Sequence, residues 1–157
     1  MKRFLLDTNM LVGFTRGAEW AHAAHLEYKL GDSSTMVYTS VICRAEMYAL
    51  AEKFGWGEKK RQKLVEVLND FPATDIHQES VLKAYAVIDT WTHGKPPTVP
   101  GFPPPPKPAV CMGRNDLWIA ATAHVTGATL MTTDRDFDHL HESFLQRIYI
   151  EQKKGIS

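Results

Sequence analysis

Cysteine is scarce in this chain: only Cys43 and Cys111 occur, far apart in sequence. That usage excludes a disulfide scaffold and a CxxC-type zinc site, and it suits a reducing compartment. An excess of one charge is missing too, because 18 basic residues balance 18 acidic ones. No overall field steers the molecule toward polyanions, so any nucleic-acid contact has to come from a local patch. Long apolar runs are absent as well. The basic start leads into only three apolar residues, Phe4-Leu5-Leu6, before Asp7. Neither a signal peptide nor a membrane span is expected, and the protein is expected to be cytoplasmic. P-loop, GxGxxG and GxSxG patterns are lacking, which removes support for nucleotide-hydrolase, dehydrogenase and esterase readings. What remains is ordinary globular material. The 157 residues, 44% hydrophobic and 23% charged, suffice for one domain that needs no staple to fold.

Short apolar runs alternate with helical patterns. Phe4–Leu6 is continuous and closed by Asp7-Thr8-Asn9, as expected of a strand covered on both faces. Glu19–Leu30 reads as a helix ending at Gly31, and Met36–Thr39 as a second strand. Thr39 or Ser40 can cap the helix that begins near Val41 and runs to about Phe54. A basic helix follows from Glu58 to Phe71, broken by Pro72; Ala73–Ile76 is a short third strand, and His77–Trp91 the next helix. Helix Asp116–Val125, strand Ala128–Thr132 and strand Arg147–Ile150 complete the pattern before a charged tail. Strands alternating with helices predict a parallel sheet flanked by helices. Between the last two helices, Gly94–Gly113 holds eight of the nine prolines. Proline lacks the amide donor that helices and central strands need, so this insertion is expected to project as an extended, polyproline-like arm.

Four carboxylates stand out. Asp7 and Asp134 end apolar strands, where open α/β sheets place their ligands. Glu46 lies beside the apolar face of its helix, one turn from Ile42 and Leu50. Buried there, it has to pair with Arg44 or another neighbour, or bind a cation. Asp116 opens a helix and shares the face of Ile119 and Ala120. Each has a modest alternative: Asp7 and Asp116 can serve as caps, and Asp136 can cap a short helix through Phe137. A parallel sheet can nevertheless bring all four acids to one edge, where only a cation permits joint ionisation. Oxygen donors without sulfur select Mg²⁺ or Mn²⁺. The histidine pairs His22/His25 and His139/His141 lack the company of a zinc site and are expected at the surface.

The segment Leu5-Leu6-Asp7-Thr8-Asn9, the Ser40-x5-Glu46 spacing, Asn115-Asp116-Leu117-Trp118-Ile119-Ala120-Ala121 and Thr132-Thr133-Asp134-Arg135-Asp136-Phe137 resemble the PIN-domain ribonucleases. The likeness is greatest to VapC-like toxins of bacterial type II toxin–antitoxin pairs. The resemblance covers nearly the whole chain, with the motifs in the family's order. It implies a three-layer α/β/α sandwich with a five-stranded, mostly parallel sheet. It also implies a Mg²⁺- or Mn²⁺-dependent endoribonuclease. Asp7, Glu46, Asp116 and Asp134 match the family's acidic quartet, supported by Thr8, Asn9, Asn115, Thr133 and Asp136. The proline-rich insertion departs from the pattern and bears on substrate choice and on the antitoxin-binding surface.

The partners so implied are RNA and a cognate antitoxin. A homodimer is a further expectation, with Trp20, Met47, Tyr48 and Trp56 as candidate residues for a groove or a dimer face. The basic run Lys59-Lys60-Arg61-x-Lys63 with Lys53 reads first as a solvated helix face, and second as a guide for phosphates. Two other classes compete. A haloacid-dehalogenase-type phosphatase would show a second aspartate where Asn9 stands. An RNA-processing nuclease without an antitoxin, or an inactive binding module, would keep the same fold.

Overall fold

The computed structural model describes residues 1–152; the charged tail from residue 153 onward lies outside the described residues. Five strands form one sheet: β1 (Lys2–Leu6), β2 (Thr35–Ser40), β3 (Ala73–Thr74), β4 (Thr129–Thr132) and β5 (Gln146–Tyr149). Their order is β3-β2-β1-β4-β5, and every pairing is parallel. In the centre, β1 pairs Leu6 with Thr39 on one side and with Met131 on the other, so all three strands end at one level. Phe4, Leu5 and Leu6 are buried, as a strand covered on both faces requires.

Six helices flank the sheet: α1 (Thr8–Arg16), α2 (Glu19–Glu27), α3 (Val41–Lys53), α4 (Glu58–Asp70), α5 (Glu79–Thr92) and α6 (Arg114–Thr126). The chain steps outward from β1 to β2 to β3, then returns to β4 and β5. Right-handed crossovers in opposite directions put helices on opposite faces. Accordingly α1 packs with α2, α3 and α4, while α5 packs with α6. This is the expected three-layer sandwich. It has a reversal of direction between β1 and β4, where such sheets open a crevice.

Helix α1 is absent from the sequence reading, which sees only a polar turn after Asp7. Asp7 is its N-cap, accepting from the Met10 amide at 3.0 Å, and Gly17 closes it with φ 67°. Gly13 sits inside the helix because a Cβ there would lie 2.3 Å from the Trp20 ring. Other boundaries move by a few residues, as helix ends fray. The candidate groove residues need correction. Met47 and Trp56 are buried in the core, and only Tyr48 of that set is exposed. Of the two cysteines, Cys43 is buried and Cys111 is exposed.

Residues 94–113 contain no helix or strand, yet they do not project as an arm. Phe102 stacks on Phe144 with centroids 4.8 Å apart, and Trp91 Nε1 donates to the Pro103 carbonyl at 2.9 Å. The Val110 amide donates to the Thr92 carbonyl at 2.8 Å, closing the far end. The Phe102 ring, the buried Met112 and these hydrogen bonds, with that of the Lys95 amide to the Thr90 carbonyl, hold the segment against the body. No described helix is long and apolar enough to cross a membrane.

Candidate functional site

The strand ends and the helices that follow them build a cleft of about 380 Å³. Asp7 follows β1 and caps α1, whose first two residues Thr8 and Asn9 also line the cleft. Ser40 caps α3 by accepting from the Ile42 amide at 3.1 Å, which sets the phase of that helix. Glu46, Ala49, Leu50 and Lys53 then fall at i, i+3, i+4 and i+7 and face the cleft together. Gly113 starts α6, whose first turn presents Asn115 and Asp116. Asp134 completes the rim from the turn after β4.

Hydrogen bonds hold three of the acids. Thr132 Oγ1 donates to Asp7 Oδ2 and accepts from the Asp134 amide at 2.9 Å, joining the ends of two strands. Thr8 Oγ1 donates to Glu46 Oε1 at 2.9 Å. Glu46 therefore pairs with Thr8 and not with Arg44, whose guanidinium turns to the Tyr48 hydroxyl at 3.0 Å. Residues two apart on a helix point to different faces, so that ion pair is geometrically unavailable. Asp134 Oδ1 accepts from the Asp136 amide at 2.9 Å, so Asp134 caps the turn and Asp136 does not. The short 3-10 turn after it, Asp138–Leu140, has no side-chain cap.

Burial at the floor is expensive for charge. Desolvation pushes the Asp7 carboxyl up to about 7, helped by repulsion from Asp134 and Asp116 and opposed by the bonds from Thr132 and Met10. Asp116 rises to about 6, again through desolvation and then through repulsion from Asp134, Asp136 and Glu46. Asp136 is raised as well, by desolvation and by Asp134. Removing water from close carboxylates without a counter-charge disfavours the ionised forms. The neighbouring Cys43 thiol, pushed up to about 11 by burial, stays protonated and is no ligand for a cation. The donors facing the cleft are therefore oxygens, which suit a hard divalent ion. They stand apart, and among the described residues no three acidic, histidine or cysteine side chains are spaced to enclose an ion. An ion held here would be bound by few protein ligands, as suits Mg²⁺.

Of the residues singled out from sequence, Asp7, Thr8, Asn9, Glu46, Asn115, Asp116 and Asp134 line one cleft. Thr133 and Asp136 do not; Thr133 Oγ1 instead accepts from Gln152 at 3.3 Å. One participant escaped the sequence reading of the site: Thr132 is fully buried and orients Asp7, a role that depends on strand register. Lys53, read from sequence first as part of a solvated face and second as a guide for phosphates, lines the cleft two turns from Glu46 on the same helix face.

A family model for the PIN domain matches residues 4–142. No curated protein sequence matches the chain. Among solved structures, it is similar to VapBC2 from Rickettsia felis bound to a promoter DNA fragment. There the TM-score is 0.72 and the identity 20%, over 92% of this chain and 98% of the other. DNA-bound VapBC from Salmonella typhimurium matches with a TM-score of 0.65 and 18% identity, over 94% and 98% of the two chains. FitAcB from Neisseria gonorrhoeae matches with a TM-score of 0.60 and 26% identity, over 85% and 88%.

Proposed function

The chain belongs to the PIN domain family, and from that premise we propose that its acidic cleft hydrolyses RNA phosphodiester bonds with Mg²⁺ or Mn²⁺. The observation that carries this reading is convergence. Asp7, Glu46, Asp116 and Asp134 come from four separate segments to one open cleft, and two of them are held well above the usual carboxylate range. Asp7, Asp116 and Asp134, with Glu46, are the residues that would hold the ion. Such an ion polarises a phosphoryl oxygen and makes water nucleophilic at neutral pH. The protein's own part is positional. Thr132 and the Met10 amide fix Asp7, while Thr8 fixes Glu46. Lys53 at the wall offers a cation to a flanking phosphate.

The decisive experiment is incubation of the protein with a mixed RNA pool and Mg²⁺ or Mn²⁺, with a chelator control. Parent protein is expected to cut internally and Asp116→Asn to lose that activity. Equal cleavage by the two would remove the acidic centre from the reaction.

The partner reading rests on the structural relatives, which include VapBC and FitAB assemblies described as toxin–antitoxin systems or bound to DNA. An antitoxin is expected here as well. A carboxylate of this cleft can accept a guanidinium bidentately, so an inserted arginine can take the place of the ion and silence the enzyme. Expression of the chain alone in bacteria tests it. Growth arrest that Asp7→Asn abolishes supports a toxin. Normal growth with abundant RNA-cleaving protein favours a processing nuclease without an inhibitor.

A further inference from the structure

A second pocket, of about 520 Å³, opens on the other side of the first turn of α6. Tyr85 and Asp89 of α5 and Arg114 and Trp118 of α6 line it, together with His93 just past the end of α5. Asn115 and Asp116, between Arg114 and Trp118, face the acidic cleft instead. Successive residues on a helix diverge by about 100°, and a helix with side chains is about 10 Å wide. The two pockets are therefore separated by a single helical turn.

The lining is mixed in a particular way. Tyr85 and Trp118 lie ring to ring, centroids 4.1 Å apart and tilted by 32°, and both are half-buried, so their wall is open to solvent. His93 Nδ1 is 2.7 Å from the Asp89 carbonyl and 3.2 Å from Asp89 Oδ1. A nitrogen facing two acceptors carries a proton, which orients the ring toward the pocket's edge beside the Asp89 carboxylate. Arg114 is exposed, and none of the ion pairs found among the described residues includes it. An aromatic wall, acceptors at one edge and a free guanidinium are the elements that bind an unstacked base and its phosphate.

We propose that the Tyr85–Trp118 pocket is a nucleobase subsite, seating a base of the same single strand whose backbone crosses the acidic cleft. This deepens the nuclease reading and rests on it. Trp118 supplies the stacking face, Asp89 and His93 read the base edge, and Arg114 holds the phosphate between the two pockets. A duplex, whose bases are already stacked, is excluded.

The test separates binding from cleavage. Dye-labelled single-stranded RNA hexamers are titrated with chelator present, reading the fluorescence anisotropy of the label, with a labelled RNA duplex as control. Parent protein is expected to bind the single strands and not the duplex. Trp118→Ala is expected to bind about 5- to 100-fold more weakly, the range for losing one stacked base. Asp89→Asn and Arg114→Gln, at the pocket's polar edge, keep the fold if Trp118→Ala does not. With Mg²⁺ or Mn²⁺ restored, mapping of product ends is expected to show a changed base distribution beside the cut in Asp89→Asn. Parent-like binding and cut positions in all three variants would overturn the subsite and leave the nuclease intact. Binding through Trp118 without any cleavage would overturn the nuclease and leave the subsite. A change of oligomeric state in Trp118→Ala, with hexamer binding unaltered, would assign the pocket to a protein contact and overturn the proposal.

Discussion

The acidic edge of the sheet and the proline-rich segment are both irregular stretches, but they are held by opposite means. At the edge, backbone does the positioning: strand ends and helix starts place Asp7, Asp116 and Asp134, and the Thr132 hydroxyl ties Asp7 to Asp134. In residues 94–113 the backbone bonds little with the body, and a few side chains, chiefly Phe102 and Trp91, tie it down. The edge concentrates charge where water is scarce, which costs stability. The segment covers apolar surface, which adds stability. The cost falls where chemistry is expected, and the gain falls where it is not.

Activity should respond most sharply to this difference. Asp7→Asn and Asp116→Asn are expected to lower RNA cleavage on the order of a hundredfold or more, as loss of a preorganised group in a charged site does. Phe102→Ala should keep the rate per folded molecule within a few-fold. Rate measurements on both, normalised to folded protein, check the division. A comparable rate loss in Phe102→Ala would place the segment in the reaction.

Stability against pH should respond in the reverse sense. Asp7 holds its proton up to about 7 when folded, against an ordinary 3.8. The folded state thus binds the proton more tightly, and this contribution is complete below about pH 4 and lost as pH rises through about 7. Asp7→Asn removes that loss. It is expected to be more stable than parent above pH 7, by an amount on the order of a few kcal/mol, and close to parent near pH 4. Mn²⁺ should stabilise the parent and narrow the gap. Denaturant midpoints across pH 4 to 8 measure all three; a variant less stable than parent at pH 8 would remove the electrostatic account.

The same contrast explains what the sequence alone disclosed. Strands and most helices follow from apolar periodicity and from Gly, Pro and Ser at their ends, and the sandwich follows from their alternation. Asp7 and Asp134 were legible because each ends an apolar run, and Glu46 because it interrupts one. Helix α1 was not legible. It is short, has Thr, Asn and Gly in a nine-residue span, and owes its stability to burial of Met10 and Leu11 and to the Asp7 cap. Thr133 and Asp136 belong to the same motif as Asp134 but do not line the cleft: Thr133 accepts from Gln152, and Asp136 stays beside Asp134, where its charge raises Asp116. The anchoring of the proline segment depends on Phe102 meeting Phe144, 42 residues later, and no local pattern encodes that.

Stability should also expose the segment's anchors. Phe102→Ala removes a half-buried ring from Phe144 and His124. A loss of about 1–3 kcal/mol is expected, below the cost of emptying a fully buried site because solvent reaches the ring. Thermal unfolding tests this; an unchanged midpoint would restore the picture of a free arm.

The smallest effect is expected at Lys53, the one basic residue among the described residues that lines the acidic cleft. A lysine in that wall either softens the repulsion among the acids or holds a phosphate of the strand being cut. The two roles separate by salt. A phosphate contact on a single strand releases condensed counterion, so Lys53→Ala should flatten the slope of log binding against log salt by about 0.7. It should weaken RNA binding a few-fold at physiological salt and leave the maximal rate nearly unchanged. If Lys53 instead serves the acids, the salt slope stays as in the parent and the optimum pH moves upward. In that case the division between a charged edge and a neutral remainder is sharper than proposed, because the edge carries its own partial counter-charge.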